Sequence, residues 1–503
     1  MKRMIRLLAA ALALMLLLPL GSALAVNDGY SATYAYNYDY WGELRESPAP
    51  YRVSEVIFSA TLGLDKAMTK PQSLFVQGSD LYVCDTGNNR ILQLHREGEN
   101  FALVREITTI QGAEPATLAS PSDVFVTEEG TLYIADTQHN RVLVADKDLN
   151  YLQTFVKPND TTFDQALSFL PNKVVADVAG RVYVLATNVN KGLLKYEADG
   201  TFSGYIGANP VIYTMWEYIW KRFFTTKEQR SQQASFVPTE YENICLDSQG
   251  FIYATNTVFS EYDLLWDNAK PIRRLNAVGS DILIKKDRYP PIGDLQWVEQ
   301  SVDYGPSKLK DITVLDNDIY IAIDRTRGRI FGYDPQGIML WAFGNKGNSA
   351  GAFTAAVSIE HMGRDLFVLD ELNCSITVFT PTEYGSLIYK ASDQYLQGDY
   401  AGSASTWRET LKLNANYDLA FIGIGRSLLQ EEEYGEAMRY FQMAHDRENY
   451  GRAYRYYRKE LVEKNIVWIA IVLVVLVVVP LVLGVFKKMK WEVAEHERRK
   501  LVH

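Results

Sequence analysis

The residues best equipped for chemistry occur as a recurring polar cluster. "CDTGNNRIL" sets Asp85, Asn88 and Arg90 between two apolar runs, "ADTQHNRVL" repeats the arrangement with Asp136 and Arg141, and "IDRTRGRIF" with Asp324 and Arg329. Asp370 opens a further copy that has Asn373 but carries Ser375 where the arginine would stand. An aspartate, an amide and an arginine within six residues offer a general base, a hydrogen-bond donor and an anion clamp, so one such cluster alone would read as a candidate active site. Catalytic groups must converge on one point, whereas a repeated turn is distributed. The cluster is therefore predicted to be structural. The aspartate accepts bonds from backbone donors of the turn, the asparagine tolerates left-handed geometry, and the returning arginine pairs with the aspartate.

Other chemistry-bearing types are sparse. His95, His139 and His361 are the only histidines among the repeats and have no ligand spacing, which argues against a zinc centre. Cys84, Cys245 and Cys374 lie far apart in apolar, strand-like runs, so free buried thiols are expected rather than a disulfide framework. No cofactor is expected. A net charge of -10 with no basic tract excludes nucleic acid as a partner class. With 47% hydrophobic and 22% charged residues over 503 positions, the chain can build more than one core.

The elements that carry the cluster repeat as well. Units begin at Pro71, Pro121 and Pro171, and looser ones at Tyr241, Leu309 and Ala355. Each consists of short β-rich runs separated by turn residues, with no room for a crossover helix. Six such units of about 50 residues predict a mainly β, six-bladed propeller over 51–383, in which each blade buries its faces against its neighbours. Residues near 53–61 are expected to complete the last blade and remove the open edge. The Asp-loop-Arg units resemble the NHL family, most closely at Asp85 to Ile91 and Asp136 to Val142. The resemblance weakens at Ala186, which replaces the aspartate of the third unit.

Two stretches break the repetition. In 210–236, Trp216, Trp220, Phe223 and Phe224 fall at helical spacing with Glu217, Lys221 and Arg222 opposite. This predicts an inserted amphipathic helix, packed on the propeller or offered to a membrane or membrane partner. Within the arm 26–50, Tyr34, Tyr36, Tyr38 and Tyr40 recur at period two, as an aromatic strand face or an ordered arm along the propeller.

Beyond the propeller, strands give way to helices over 384–464. Tyr400 and Tyr434, and Trp407 and Phe441, repeat at the same interval, which resembles tetratricopeptide repeats. That resemblance implies a groove lined by residues such as Ile388, Tyr395, Ile422, Arg426 and Leu429. Residues 466–486 are uncharged and long enough, at roughly 1.5 Å per residue, to cross a bilayer. Residues 1–25 read as a signal peptide, so the bulk is expected outside the cell and 487–503 inside, at a single-pass cell-membrane location. The whole resembles Gram-positive NHL-repeat membrane proteins, some of which accompany solute ABC transporters. It implies a membrane-anchored extracytoplasmic binding or scaffold protein with a protein partner, in which a membrane transport complex is one candidate. The alternative is a metal-dependent lactonase-like hydrolase, with Ca2+ held on the propeller axis by converging Asp, Asn and Glu.

Overall fold

Short runs rich in Val, Ile, Leu, Phe and Tyr, punctuated by glycine-ending turns such as Asp247-Ser248-Gln249-Gly250 and Asp334-Pro335-Gln336-Gly337, favour antiparallel meanders over helices. The computed structural model describes residues 34–210, 236–237, 240–265, 269–286, 289–296 and 305–500. In it these runs form six blades. Blade 1 comprises Ser73–Gln77, Asp80–Asp85, Arg90–Glu97 and Asn100–Ile107, and blade 2 Pro121–Val126, Leu132–Asp136, Arg141–Ala145 and Tyr151–Val156. Blade 3 comprises Leu170–Ala176, Val182–Thr187, Leu193–Tyr196 and Phe202–Ile206.

Blade 4 is shorter than the sequence pattern implies. Asn243–Leu246, Ile252–Thr255 and Ile272–Leu275 pair, and a single bridge from Leu275 to Asp281 stands in for the fourth strand. Helix α1, Glu261–Leu265, precedes its third strand. Blade 5 is Leu309–Val314, Tyr320–Asp324, Arg329–Tyr333 and Met339–Phe343. Its outer edge takes on the arm strand Ala35–Tyr38 through Ala35↔Phe343 and Tyr36↔Ala342. The Tyr-rich arm is thus an added strand. Tyr36 is fully buried, its hydroxyl donating to Asp294 and accepting from Arg329 Nη1 at 2.8 Å.

Blade 6 joins Ala356–Met362, Asp365–Asp370 and Ser375–Pro381 to Tyr51–Phe58. The register runs from Ser375↔Phe58 to Pro381↔Tyr51, so the strand expected near 53–61 closes the ring. Apolar cores lie between blades. Ile57, Leu74, Val83, Phe367 and Ile376 pack between blades 6 and 1, and Val142, Phe169, Val174 and Val184 between blades 2 and 3.

The second unit holds residues 38–45 and 384–500. Helices α2 (Glu383–Leu396), α3 (Tyr400–Leu413), α4 (Asp418–Gln430) and α5 (Tyr434–Met443) precede α6 (Arg447–Lys500). Asp399 caps α3 by accepting from Gly402 N at 2.9 Å. Large rings settle against glycines: a Cβ on Gly423 would meet the Trp407 indole at 2.3 Å, and one on Gly425 the Phe441 ring at 2.7 Å. Ser403 and Thr410, polar within this core, donate to Ala391 O at 2.8 Å and Thr406 O at 3.0 Å. Their hydroxyls are therefore satisfied inside the helices. Helix α6 is long and apolar enough to cross a membrane, with a mean hydropathy of 3.4 over its most apolar window, none of it buried.

Asn209 and Pro210 pair with Val237 and Phe236 and close the base of the insertion. Trp216, Trp220, Phe223 and Phe224, like the leader expected over 1–25, lie outside the described residues.

Candidate functional site

The Asp clusters resolve into one recurring joint. Each aspartate ends the second strand of its blade and accepts a bond from the backbone that leads into the same blade. Thr69 N reaches Asp85 at 2.7 Å, Ala119 N reaches Asp136 at 2.7 Å, Lys308 N reaches Asp324 at 2.9 Å and Thr354 N reaches Asp370 at 2.6 Å. The residue three positions on supplies a second partner: Asn88, His139, Arg327 and Asn373 in turn, at 2.8, 2.8, 3.3 and 2.9 Å. Arg90 and Arg141 pair with their aspartates at 2.7 and 2.8 Å, all four side chains being buried. The residue before each arginine, Asn89 or Asn140, takes the left-handed φ of 55° or 56°.

Blade 5 departs from the expected pairing. Arg329 bonds Asp294 at 2.6 Å and the Tyr36 hydroxyl rather than Asp324, and Arg327 takes over the ion pair to Asp324. The arm strand brings Tyr36 to this edge, and with it a competing set of acceptors. Burial raises the Asp324 carboxyl above its usual range.

The side chains that converge are others. One polar residue from each innermost strand faces the axis at a common level: Ser73, Asp123, Lys173, Asn243, Asp311 and Ser358, all buried. In four blades a register shift immediately precedes it, at Pro121/Asp123, Pro171/Lys173, Leu309/Asp311 and Ala356/Ser358. Such a bulge re-aims the side chain that follows it. Lys173 Nζ donates to Ser73 Oγ at 2.8 Å and lies 3.3 Å from Asp123 Oδ1, while Ser73 Oγ donates to Asp123 Oδ1 at 2.6 Å. Opposite, Asn243 Nδ2 donates to Asp311 Oδ1, and Ser358 Oγ donates to Asp311 Oδ2 at 2.6 Å. Burial alone would lower the Lys173 ammonium, but the Asp123 and Asp311 carboxylates outweigh it and hold it above its ordinary value.

Ser73, Asp123, Lys173, Asn243 and Asp311 of this ring also border a cavity of about 180 Å³. The alternate residues of the same strands, Phe75, Phe125, Val175, Cys245, Thr313 and Glu360, line it together with His361. Phe75 and Phe125 have ring centroids 5.1 Å apart. Thr313 Oγ1 lies 3.1 Å from Glu360 Oε2 and 2.7 Å from His361 Nδ1. Burial, then the Asp311 charge, pushes Glu360 up to about 8, and burial pulls His361 down to about 4. Near neutrality the pair is a protonated acid beside a neutral imidazole.

Could the axis hold the cation that a lactonase-like hydrolase needs? The donor set does not fit. Both Asp123 oxygens are engaged, by Ser73 and Lys173 and by Val174 N at 2.9 Å. Both Asp311 oxygens are engaged too, Ile312 N and Ile359 N adding bonds at 2.6 and 2.8 Å. The Lys173 ammonium supplies positive charge at the ring itself. Among the described residues no group of three or more His, Cys, Asp or Glu side chains is arranged for a metal.

His95 instead pairs with Asp80 at 2.6 Å on the surface. The three cysteines are free, yet only Cys84 is fully buried; Cys245 faces the cavity. In the helical unit Tyr395, Ile422 and Arg426 are half-buried, whereas Ile388 is buried in the core and lines no groove.

The axial residues carry a sequence signal that the Asp clusters overshadow. Aligned on Pro71, Pro121 and Pro171, the third position of the unit reads Ser73, Asp123 and Lys173, and Asn243, Asp311 and Ser358 fall in the same column, each polar immediately ahead of an apolar residue. The column shows only when the units are aligned, and its convergence needs the ring.

No protein-family model matches the chain, nor does any curated protein. Solved structures similar to it include the following three. Selenomethionine-substituted virginiamycin B lyase from Staphylococcus aureus is 12% identical over 70% of this chain and 89% of its own, with a TM-score of 0.38. A streptogramin B lyase is 13% identical over 70% and 88%, at 0.37. A catalytically inactive Staphylococcus aureus virginiamycin B lyase with quinupristin is 13% identical over 65% and 99%, at 0.40. Likeness at this level carries no chemistry across, and the propeller rests on the strand pairing of the chain itself.

Proposed function

We propose that the protein is a membrane-anchored extracytoplasmic binding and scaffold module, which presents propeller and helical surfaces to a membrane complex. The observation that supports the reading is the engaged ring at the axis: Asp123, paired with Lys173, and Asp311, held by Asn243 and Ser358, are both committed where a hydrolase of this architecture would need free metal donors. A second feature supports the membrane-anchored part of the reading. Helix α6 contributes Ala453 and Tyr456 to the helical unit, Tyr456 stacking on Tyr434 at 5.4 Å, and continues unbroken into the apolar span. The orientation follows the leader expected over 1–25, with the tail 487–503 inside.

The partner is a membrane protein assembly, a solute transporter of the ABC type being the specific candidate. Trp216, Trp220, Phe223 and Phe224 of the insertion, and Tyr395, Ile422 and Arg426 of the helical unit, are its contact residues. The test is mild cross-linking in native membranes, purification of the full chain, and determination of both attached proteins and metal content. Recovery of transporter subunits, abolished by Trp216→Ala with Trp220→Ala, is the expected result. A chain recovered alone with one equivalent of a divalent metal overturns the proposal.

A further inference from the structure

A second, more open pocket of about 410 Å³ lies between blades 4 and 5. Its lining is Glu242, Thr257, Lys308, Lys310, Arg325 and Thr326. Three cations against one carboxylate make it locally basic in a chain whose net charge is -10. A concave wall of one sign concentrates counter-ions, so this balance matters more here than the overall charge does.

The local fold explains why the charges gather. Lys310 is the bulged residue before Asp311, which turns it off the ladder. Lys308 enters blade 5 just ahead of it, with Nζ donating to Thr257 O at 2.6 Å and Phe259 O at 2.8 Å, over the Phe259 ring at 3.9 Å. Two of its three hydrogens are thereby used, leaving one. Lys310 pairs with Glu242 Oε2, and Thr257 Oγ1 donates to Glu242 Oε1 at 2.9 Å.

Arg325 follows Asp324 at the blade joint. Its counterparts in blades 1, 2 and 6 reach the next blade: Thr86 Oγ1 donates to Pro121 O and Thr137 Oγ1 to Pro171 O, both at 2.7 Å, and Glu371 accepts from Gln72 at 2.8 Å. Arg325 remains exposed, an intact guanidinium fork at the rim of the pocket.

We propose that this pocket binds a small dianionic phosphate, free or as a monoester, with Arg325 forking two of its oxygens and Lys308 and Lys310 supplying point charges. A guanidinium fork matches tetrahedral oxyanions bidentately, and the Thr257 and Thr326 hydroxyls flank the same space. Glu242 competes with the anion for Lys310. Occupancy therefore exchanges one ion pair for another, and neutralising Glu242 strengthens binding where truncating Arg325 weakens it.

Isothermal titration calorimetry on the detergent-solubilised full chain, at constant ionic strength, tests this with inorganic phosphate and glycerol 3-phosphate as probes. Saturable binding is expected, weakened about tenfold or more in Arg325→Ala, partly restored in Arg325→Lys, and tightened in Glu242→Gln. Tighter binding of glycerol 3-phosphate identifies a monoester site, and equal or weaker binding a site for the free ion. Lack of saturable heat with both probes overturns the proposal. So does binding that Arg325→Ala leaves unchanged while thermal midpoints show that the variants are folded.

Discussion

Glu360 and His361 are neighbours in sequence with opposite displacements, one carboxyl raised to about 8 and one imidazole lowered to about 4. In the unfolded chain they titrate near ~4.3 and ~6.5. From about pH 4.3 to 6.5 the folded chain holds one proton, on Glu360, and the unfolded chain one, on His361, so the two linkages cancel. From about 6.5 to 8 only the folded chain holds a proton, and stability falls as pH rises, by up to about 1.4 kcal/mol per unit. Glu360→Gln removes this term. Its thermal midpoint is therefore expected to decline less than wild type across that window and to exceed it at pH 8.5; parallel curves for the two proteins would mean that Glu360 is already ionised in the fold. The residue types at the Asp joints were legible from the sequence because their partners are local. The Arg329 pairing was not, since it depends on Tyr36, brought by the added strand, and on Asp294, from the segment that precedes blade 5.

At the scale of elements, period two in the strands and uninterrupted apolarity in 466–486 translate directly into structure, since each follows from geometry that a single segment can satisfy. The weak fourth strand of blade 4 was less legible. Its unit holds α1 and the bridge at Asp281 in place of a regular meander, although Asn276 to Ser280 forms the same turn that leads into the fourth strands of blades 3 and 5. Helix α6 makes the sharpest prediction here. Val474 and Val478 are exposed within its apolar stretch. Val474→Asp with Val478→Asp adds two charges at a cost of about 2.5 kcal/mol or more each in a bilayer centre. The double variant is expected to be extracted from membranes by carbonate at high pH, whereas wild type stays in the pellet; equal retention of both would show that this segment is not the anchor.

For the whole molecule, ring closure is the property that no single unit contains. Ile57 is 1% exposed and pairs with Ile376, while the adjacent Phe58 is 47% exposed. Ile57→Ala is expected to destabilise the propeller by about 2–4 kcal/mol and Phe58→Ala by under about 0.5 kcal/mol, read from denaturant midpoints. Equal effects would mean that the closing strand contributes little. The same closure governs the making of the protein. Tyr51–Phe58 leaves the ribosome near the start and its partner Ser375–Pro381 only after the other five blades, which at roughly 10 residues per second is a delay of about half a minute. Throughout that interval the nascent chain carries an unmated strand at its front and a growing row of blades behind it, so the time of greatest exposure to mispairing comes before the last blade is synthesised rather than after release.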